Sequence, residues 1–196
     1  MNDISQFVRW NVADTCSLWN LLACRLLYST ARSAGVTLCC TQFVTYECLF
    51  KPGLVRPERE ELQTRLRARL ADGSITAHPI DIEDLQDVEV LRNRKRLSIG
   101  ELSVIVFARK TAQAILTDDK GAQNLAKTAL AANTVQSTPH LFAWLYFNSL
   151  VSDSDKDQVA ADLLLLNRSL KPHLENYHAE AQRCRAIATQ AANLGG

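Results

Sequence analysis

The sequence predicts an α/β fold, a three-layer α/β/α sandwich around a central, mostly parallel sheet of four or five strands, with further helices toward the C-terminus. Three observations predict it. Short continuous apolar runs, of the kind carried by strands buried on both faces, recur along the chain, as in Val36-Thr37-Leu38-Cys39-Cys40. Stretches with apolar residues at the helical period lie between them. These stretches are long enough for the crossovers that parallel strands require and hairpins do not.

Phe7 to Ala13 is a strand-like run that ends at Asp14. Thr15 to Arg32 reads as one helix, with Leu18, Leu21, Leu22 and Leu26 on its apolar face and Gly35 as its stop. Val36 to Cys40 is the second strand, and Thr41 is placed to cap a helix from Gln42 to Phe50, which Lys51-Pro52-Gly53 ends. Pro57 to Ala71 is a charged helix whose arginines, interleaved with Glu58, Glu60 and Glu61, read as a salt-bridged solvent face. Ile75 to Ile80 is a third strand, which Pro79 assigns to an edge or a strand end. Ile82 to Arg92 is helical. Ser98 caps the next helix, Ile99 to Lys110, with Glu101 at the capping-box position. Ala112 to Thr117 is a fourth strand, Asp118 to Ala131 a helix, and Thr134 to Gln136 a short fifth strand. From Pro139 to Leu194 the chain is helical, broken near Ser152 to Ser154 and near Pro172. Residues 1–150 are expected to form the α/β domain, and 151–196 a helical extension packed on it.

Lys and Arg total 22 against 21 Asp and Glu, so overall charge does not by itself argue for a nucleic-acid partner. The most apolar stretch, Leu141 to Val151, is too short to span a bilayer, and the N-terminus lacks the basic-then-apolar pattern of a secretory signal. The six cysteines form no C-x-x-C pair; they are expected to be reduced thiols of a cytoplasmic protein that makes no membrane contact. Trp10, Trp19 and Trp144 are read as core. Neither a phosphate-binding glycine loop nor a serine nucleophile elbow is present.

Acids mark the candidate site. Ligands of open parallel sheets bind beyond the carboxyl ends of the strands. Asp14 directly follows the first strand, and Asp118 and Asp119 directly follow the fourth. Glu47 and Glu101 fall on the apolar sides of their helices, where a carboxylate is costly unless paired or bound to metal. Several carboxylates at one edge repel one another, and a hard divalent cation with oxygen ligands resolves that conflict. Each acid has a local alternative: Asp14 as an N-cap, Glu101 as a capping-box residue, Glu47 as a surface acid, and Asp118 or Asp119 as helix-start acids favoured by the dipole. The run Arg92-Asn93-Arg94-Lys95-Arg96 is a candidate for holding RNA phosphates, with a solvated charge cluster as its alternative.

Val12-Ala13-Asp14-Thr15-Cys16-Ser17-Leu18 resembles the opening strand-Asp-Thr/Ser signature of the PIN-domain nuclease family. Thr45-Tyr46-Glu47-Cys48-Leu49 resembles its second acidic element, and Leu97 to Ser103 followed by Ala114 to Ala122 resembles the third and fourth. The ordered set extends over residues 7–150. The resemblance implies a PIN-like fold and an Mg²⁺- or Mn²⁺-dependent endoribonuclease, often the toxin of a toxin–antitoxin pair. It implies Asp14, Glu47, Glu101 and Asp119 as the catalytic acids, with Asp14, Glu101, Asp118 and Asp119 as metal ligands and Thr15 and Thr117 in support. RNA as substrate, an antitoxin as protein partner and a homodimer follow from the same resemblance. The other expected class is a catalytically inert PIN-like interaction module that works through its helical tail.

Overall fold

The structure, a computed structural model, describes residues 3–53, 56–92 and 97–194. Strands β1 (Trp10–Ala13), β2 (Thr37–Thr41), β3 (Ile75–His78), β4 (Ala114–Leu116) and β5 (Val135–Gln136) form one five-stranded sheet in the order β3-β2-β1-β4-β5. Every pairing is parallel. The helices are α1 (Thr15–Ala23), α2 (Arg25–Ser33), α3 (Gln42–Leu49), α4 (Pro57–Ala71), α5 (Ile82–Arg92), α6 (Ile99–Thr111), α7 (Lys120–Ala129), α8 (Thr138–Phe147), α9 (Asp153–Leu165) and α10 (Lys171–Leu194). The α/β class and the parallel sheet are as the sequence predicts, and β3 lies at the edge that Pro79 indicates.

The chain builds outward from β1 to β2 and β3, then returns across the sheet to β4 and β5 on the other side. Right-handed crossovers therefore place α1, α2 and α4 on one face and α5, α6 and α7 on the other. The packing agrees: α6 lies against β1, β2 and β4, while α4 lies against α1 and β3. The winding reverses between β1 and β4, and open parallel sheets bind ligands beyond the carboxyl ends of the strands at such a point. Asp14, Asp118 and Asp119 follow those two strands.

Two expectations need correction. The stretch Thr15 to Arg32 is two helices rather than one: Cys24 takes extended backbone angles (φ −104°, ψ 102°), and its thiol accepts from Leu27 N at 3.4 Å to start α2. Trp10 is 62% exposed, because burial of β1 begins only at Asn11; Trp144 is buried and Trp19 partly so.

The C-terminal helices share the main core. α10 packs on α8, α9 touches α1 and α2, and Val159, Leu163, Leu174 and Ala181 belong to one buried cluster with Leu18, Leu38, Ile115 and Leu141. A smaller cluster, Val88, Leu102 and Val106, joins α5 to α6. Buried polar side chains tie the sheet's ends together: Gln136 on β5 donates to Asn11 Oδ1 on β1 at 2.6 Å and also accepts from Val8 N at 2.7 Å. Among the described residues no helix is long and apolar enough to cross a membrane.

His140 on α8 is 2% exposed; its Nε2 donates to the Asp3 carbonyl at 3.0 Å, and its ring lies against Phe7 and Tyr177. Burial lowers its pKa, with the Asp3 and Gln6 backbone and the Asp3 charge opposing. The neutral ring is thus the folded form, and the unfolded chain binds more protons between the two pKa values. Its contribution to stability is complete above the unfolded pKa of about 6.5 and falls away as pH drops through the folded value. Melting temperatures measured from pH 8 to pH 5 are expected to fall less steeply for His140→Gln than for the wild type; equal slopes would exclude His140 as the group responsible.

Candidate functional site

Asp14 stands where β1 becomes α1. In extended geometry it caps that helix, accepting from Ser17 N at 2.7 Å, and its own N donates to Leu116 O at 3.1 Å, which binds it to the end of β4. The second carboxylate oxygen accepts from the Thr117 hydroxyl at 2.5 Å. The residue is 1% exposed. Burial pushes its carboxyl up to about 7 and the charge of Asp118 adds to the rise, while the Thr117 and Ser17 hydrogen bonds pull it down.

The two acids after β4 divide. Asp118 is tied into the body of the fold: it accepts from Ser17 Oγ at 3.2 Å, Asn20 Nδ2 at 2.7 Å, Thr138 N at 2.8 Å and Thr138 Oγ1 at 2.6 Å. It thereby joins the end of β4 to α1 and α8. Asp119 caps α7 through one oxygen, which accepts from Ala122 N at 2.8 Å, and its N donates to Thr117 Oγ1 at 3.2 Å. The Thr117 hydroxyl thus bridges Asp14 and Asp119.

Glu47 on α3 accepts from Thr15 Oγ1 at 2.9 Å, Gly100 N at 3.2 Å and Ser98 Oγ at 3.4 Å. Glu101 completes the capping box expected from sequence, accepting from Ser98 N at 2.7 Å while its own N donates to Ser98 Oγ at 3.1 Å. Burial raises the Glu101 pKa, the bonds from Ser98 oppose the rise, and the charges of Asp119 and Glu47 add to it. Electrostatics therefore links Glu101 to Asp119 and Glu47, and Asp14 to Asp118. Among the described residues, Asp119 Oδ2 and Glu101 Oε1 accept no hydrogen bond from the chain.

The donor set is all oxygen. Cys16 and Cys48 lie beside the acids in sequence, but burial pushes the Cys16 thiol up to about 11 and raises Cys48 as well, so neither supplies a thiolate at neutral pH. Carboxylate oxygens suit a hard divalent cation. The arrangement has a limit: among the described residues no group of three or more His, Cys, Asp or Glu side chains could hold a metal ion as placed. At this edge, Glu101 Oε1 and Asp119 Oδ2 are the carboxylate oxygens left to ligate one.

Gly100 tests how tightly the second acid is seated. A Cβ there would lie 2.5 Å from Glu47 Oε2. Gly100→Ala is expected to leave stability within about 1 kcal/mol, because helix propensity favours Ala by a similar amount and the obstructing atom ends a flexible side chain. It should also push Glu47 off Gly100 N. A thermal melt paired with an activity measurement checks this; full activity would mean that the position of Glu47 does not matter.

In the run read as a candidate RNA contact, Arg94, Lys95 and Arg96 lie outside the described residues, and Arg92 is the last residue of α5. The structure places other cations beside Glu47. A groove of about 390 Å³ runs past Thr15 and Glu47, with Lys51, Arg56, Arg59 and Arg168 in its walls. No sequence signal pointed to these residues. They are far apart in the chain, and the α4 arginines read as salt-bridged; that holds for Arg65 with Glu61 and Arg69 with Asp72. Comparisons with protein-family models, with curated proteins and with solved structures give no match to the chain.

Proposed function

We propose that the chain is a divalent-metal-dependent endoribonuclease of PIN-like fold. One observation carries the reading: carboxylates from four separate segments gather at the carboxyl edge of the sheet, where the winding reverses between β1 and β4 and α/β enzymes place their ligands. The order of the four sequence motifs supports it. Asp14, Asp119 and Glu101 would hold Mg²⁺ or Mn²⁺. When bound, the ion supplies an acidified water and neutralises charge that builds on phosphate oxygens. Thr117 fixes the rotamer of Asp14 and holds the backbone of Asp119. Glu47, oriented by Thr15, Ser98 and Gly100, positions the attacking water. Asp118, with four hydrogen bonds from α1 and α8, serves as an anchor of the site rather than as a ligand. The roles of toxin, antitoxin partner and homodimer rest on the sequence resemblance alone.

A second reading, a catalytically inert interaction module, is favoured by one observation: no three acids among the described residues could hold an ion as placed. Incubation of total RNA with the protein in Mn²⁺ and in EDTA, beside calorimetric titration with Mn²⁺, separates the two. Cutting in Mn²⁺ alone, to 5′-phosphate and 3′-hydroxyl ends, supports the nuclease. No cutting and no heat of binding supports the inert module.

A further inference from the structure

The groove beside Glu47 is built for an anion. Of its charged lining residues, Lys51, Arg56, Arg59 and Arg168 are cations, against Glu47 and Glu58. Among the described residues none of these four cations forms an ion pair, although Arg65 and Arg69 of helix α4 do. Cations gathered without carboxylate partners repel one another and concentrate anions.

Two of them are held in place by the chain. Arg59 Nη2 donates to Lys51 O at 2.7 Å, and the guanidinium lies so close over Gly53 that a Cβ there would collide with Nη1. Arg168, from the segment between α9 and α10, donates through Nε to Asn20 Oδ1 at 2.7 Å and through Nη2 to Cys16 O at 3.4 Å. Each guanidinium keeps further N–H donors for a ligand, in a fork that matches phosphate. The wall also contains Trp19, whose indole is partly exposed.

We infer that this groove binds the phosphodiester backbone of single-stranded RNA and delivers it to the carboxylates, an inference that rests on the nuclease reading. Thr15 and Glu47 belong to both the groove wall and the acidic site, so a strand lying along the cations arrives at the acids. A cationic track with an aromatic wall is the usual arrangement for single strands. A volume of about 390 Å³ falls in the range of small-ligand clefts and is large enough to seat a nucleotide.

The test is fluorescence anisotropy with a labelled oligouridylate in EDTA, where no metal-dependent cutting competes. The groove variant is Lys51→Ala with Arg56→Ala, since both residues are exposed and their side chains make no hydrogen bond or ion pair among the described residues. Arg67→Ala with Lys127→Ala removes the same charge from exposed sites elsewhere. Four phosphate contacts predict a slope of about −2.8 in log K against log salt for the wild type, and two predict about −1.4 for the groove variant. That difference corresponds to on the order of 25-fold weaker binding at 0.1 M salt, referred to 1 M. The charge-matched control should bind like the wild type. No binding by the wild type, equal loss in the control, no loss in the groove variant, or equal affinity for a duplex of the same length overturns the proposal. Mn²⁺-dependent cutting of total RNA is scored separately: a chain that cuts, but whose groove variant binds normally, keeps its nuclease assignment and loses the groove.

Discussion

Asp14→Asn is expected to reduce Mn²⁺-dependent RNA cleavage by on the order of 1,000-fold, which corresponds to about 4 kcal/mol of transition-state stabilisation, while the chain still folds. The choice of asparagine follows from the geometry. Its carbonyl can replace the oxygen that accepts from Ser17 N, and Asn caps a helix as well as Asp does. Its amide would face Thr117, whose hydroxyl can turn to accept instead of donate. Burial already pushes the Asp14 carboxyl up to about 7, so the fold disfavours a charge at this place and a neutral amide costs it little. Alanine would be a poorer probe, because it removes the cap and leaves Ser17 N and Thr117 without their partner. Initial rates and a melting curve on the same preparation settle the matter. A well-folded variant that cuts at the wild-type rate would remove Asp14 from the chemistry, and the nuclease assignment with it.

Asp118→Ala should show the opposite pattern of damage. Four donors on three side chains and one backbone amide converge on this carboxylate. Deleting it strands them together, at a cost of about 3 kcal/mol, which for a chain of this size lowers the melting temperature by roughly 6–12 °C. Its neighbour should differ sharply. Asp119→Asn keeps an acceptable N-cap for α7 and so should melt within about 2 °C of the wild type, yet it removes a proposed ligand and should lower cleavage as Asp14→Asn does. The consecutive pair thus provides an internal control: one change is read in stability, the other in rate. If Asp119→Asn melts early while Asp118→Ala does not, the assignment of anchor and ligand is reversed.

Features written locally in the sequence were legible from it. The capping box of Ser98 and Glu101, the cap at Thr41, the bounds of α4 and the edge position of β3 each depend on a few adjacent residues, and each is found. The break at Cys24 was not legible, because the apolar period of α1 continues into α2 and cysteine is not a residue whose side chain announces a cap. Asp118 and Asp119 were inseparable for a related reason. Their difference lies in Asn20 and Thr138, which reach only one of them, and neither partner is near in the chain. The placement of Asp14 and the pair after β4 at one edge followed from strand order alone. How nearly the carboxylates approach one another did not, since that depends on side-chain hydrogen bonds from Thr15, Ser98 and Thr117. The groove cations escaped notice because unpaired and paired arginines on one helix look alike until their partners are placed.

The hydrogen bonds that hold Asp118 also set a timetable for synthesis. Thr138, which supplies two of them, is 124 residues beyond Asp14, and Arg168, which steadies Asn20, is later still. At ~5–20 residues per second, a ribosome needs about 6–25 s to pass from the first acid to Thr138. For most of that interval β4, at Ala114–Leu116, has yet to be made, so β1 lacks its neighbour. A growing chain therefore carries its first acid long before the edge that brings Asp118 and Asp119 beside it exists, and the carboxylates come together only after more than half of the chain has been translated.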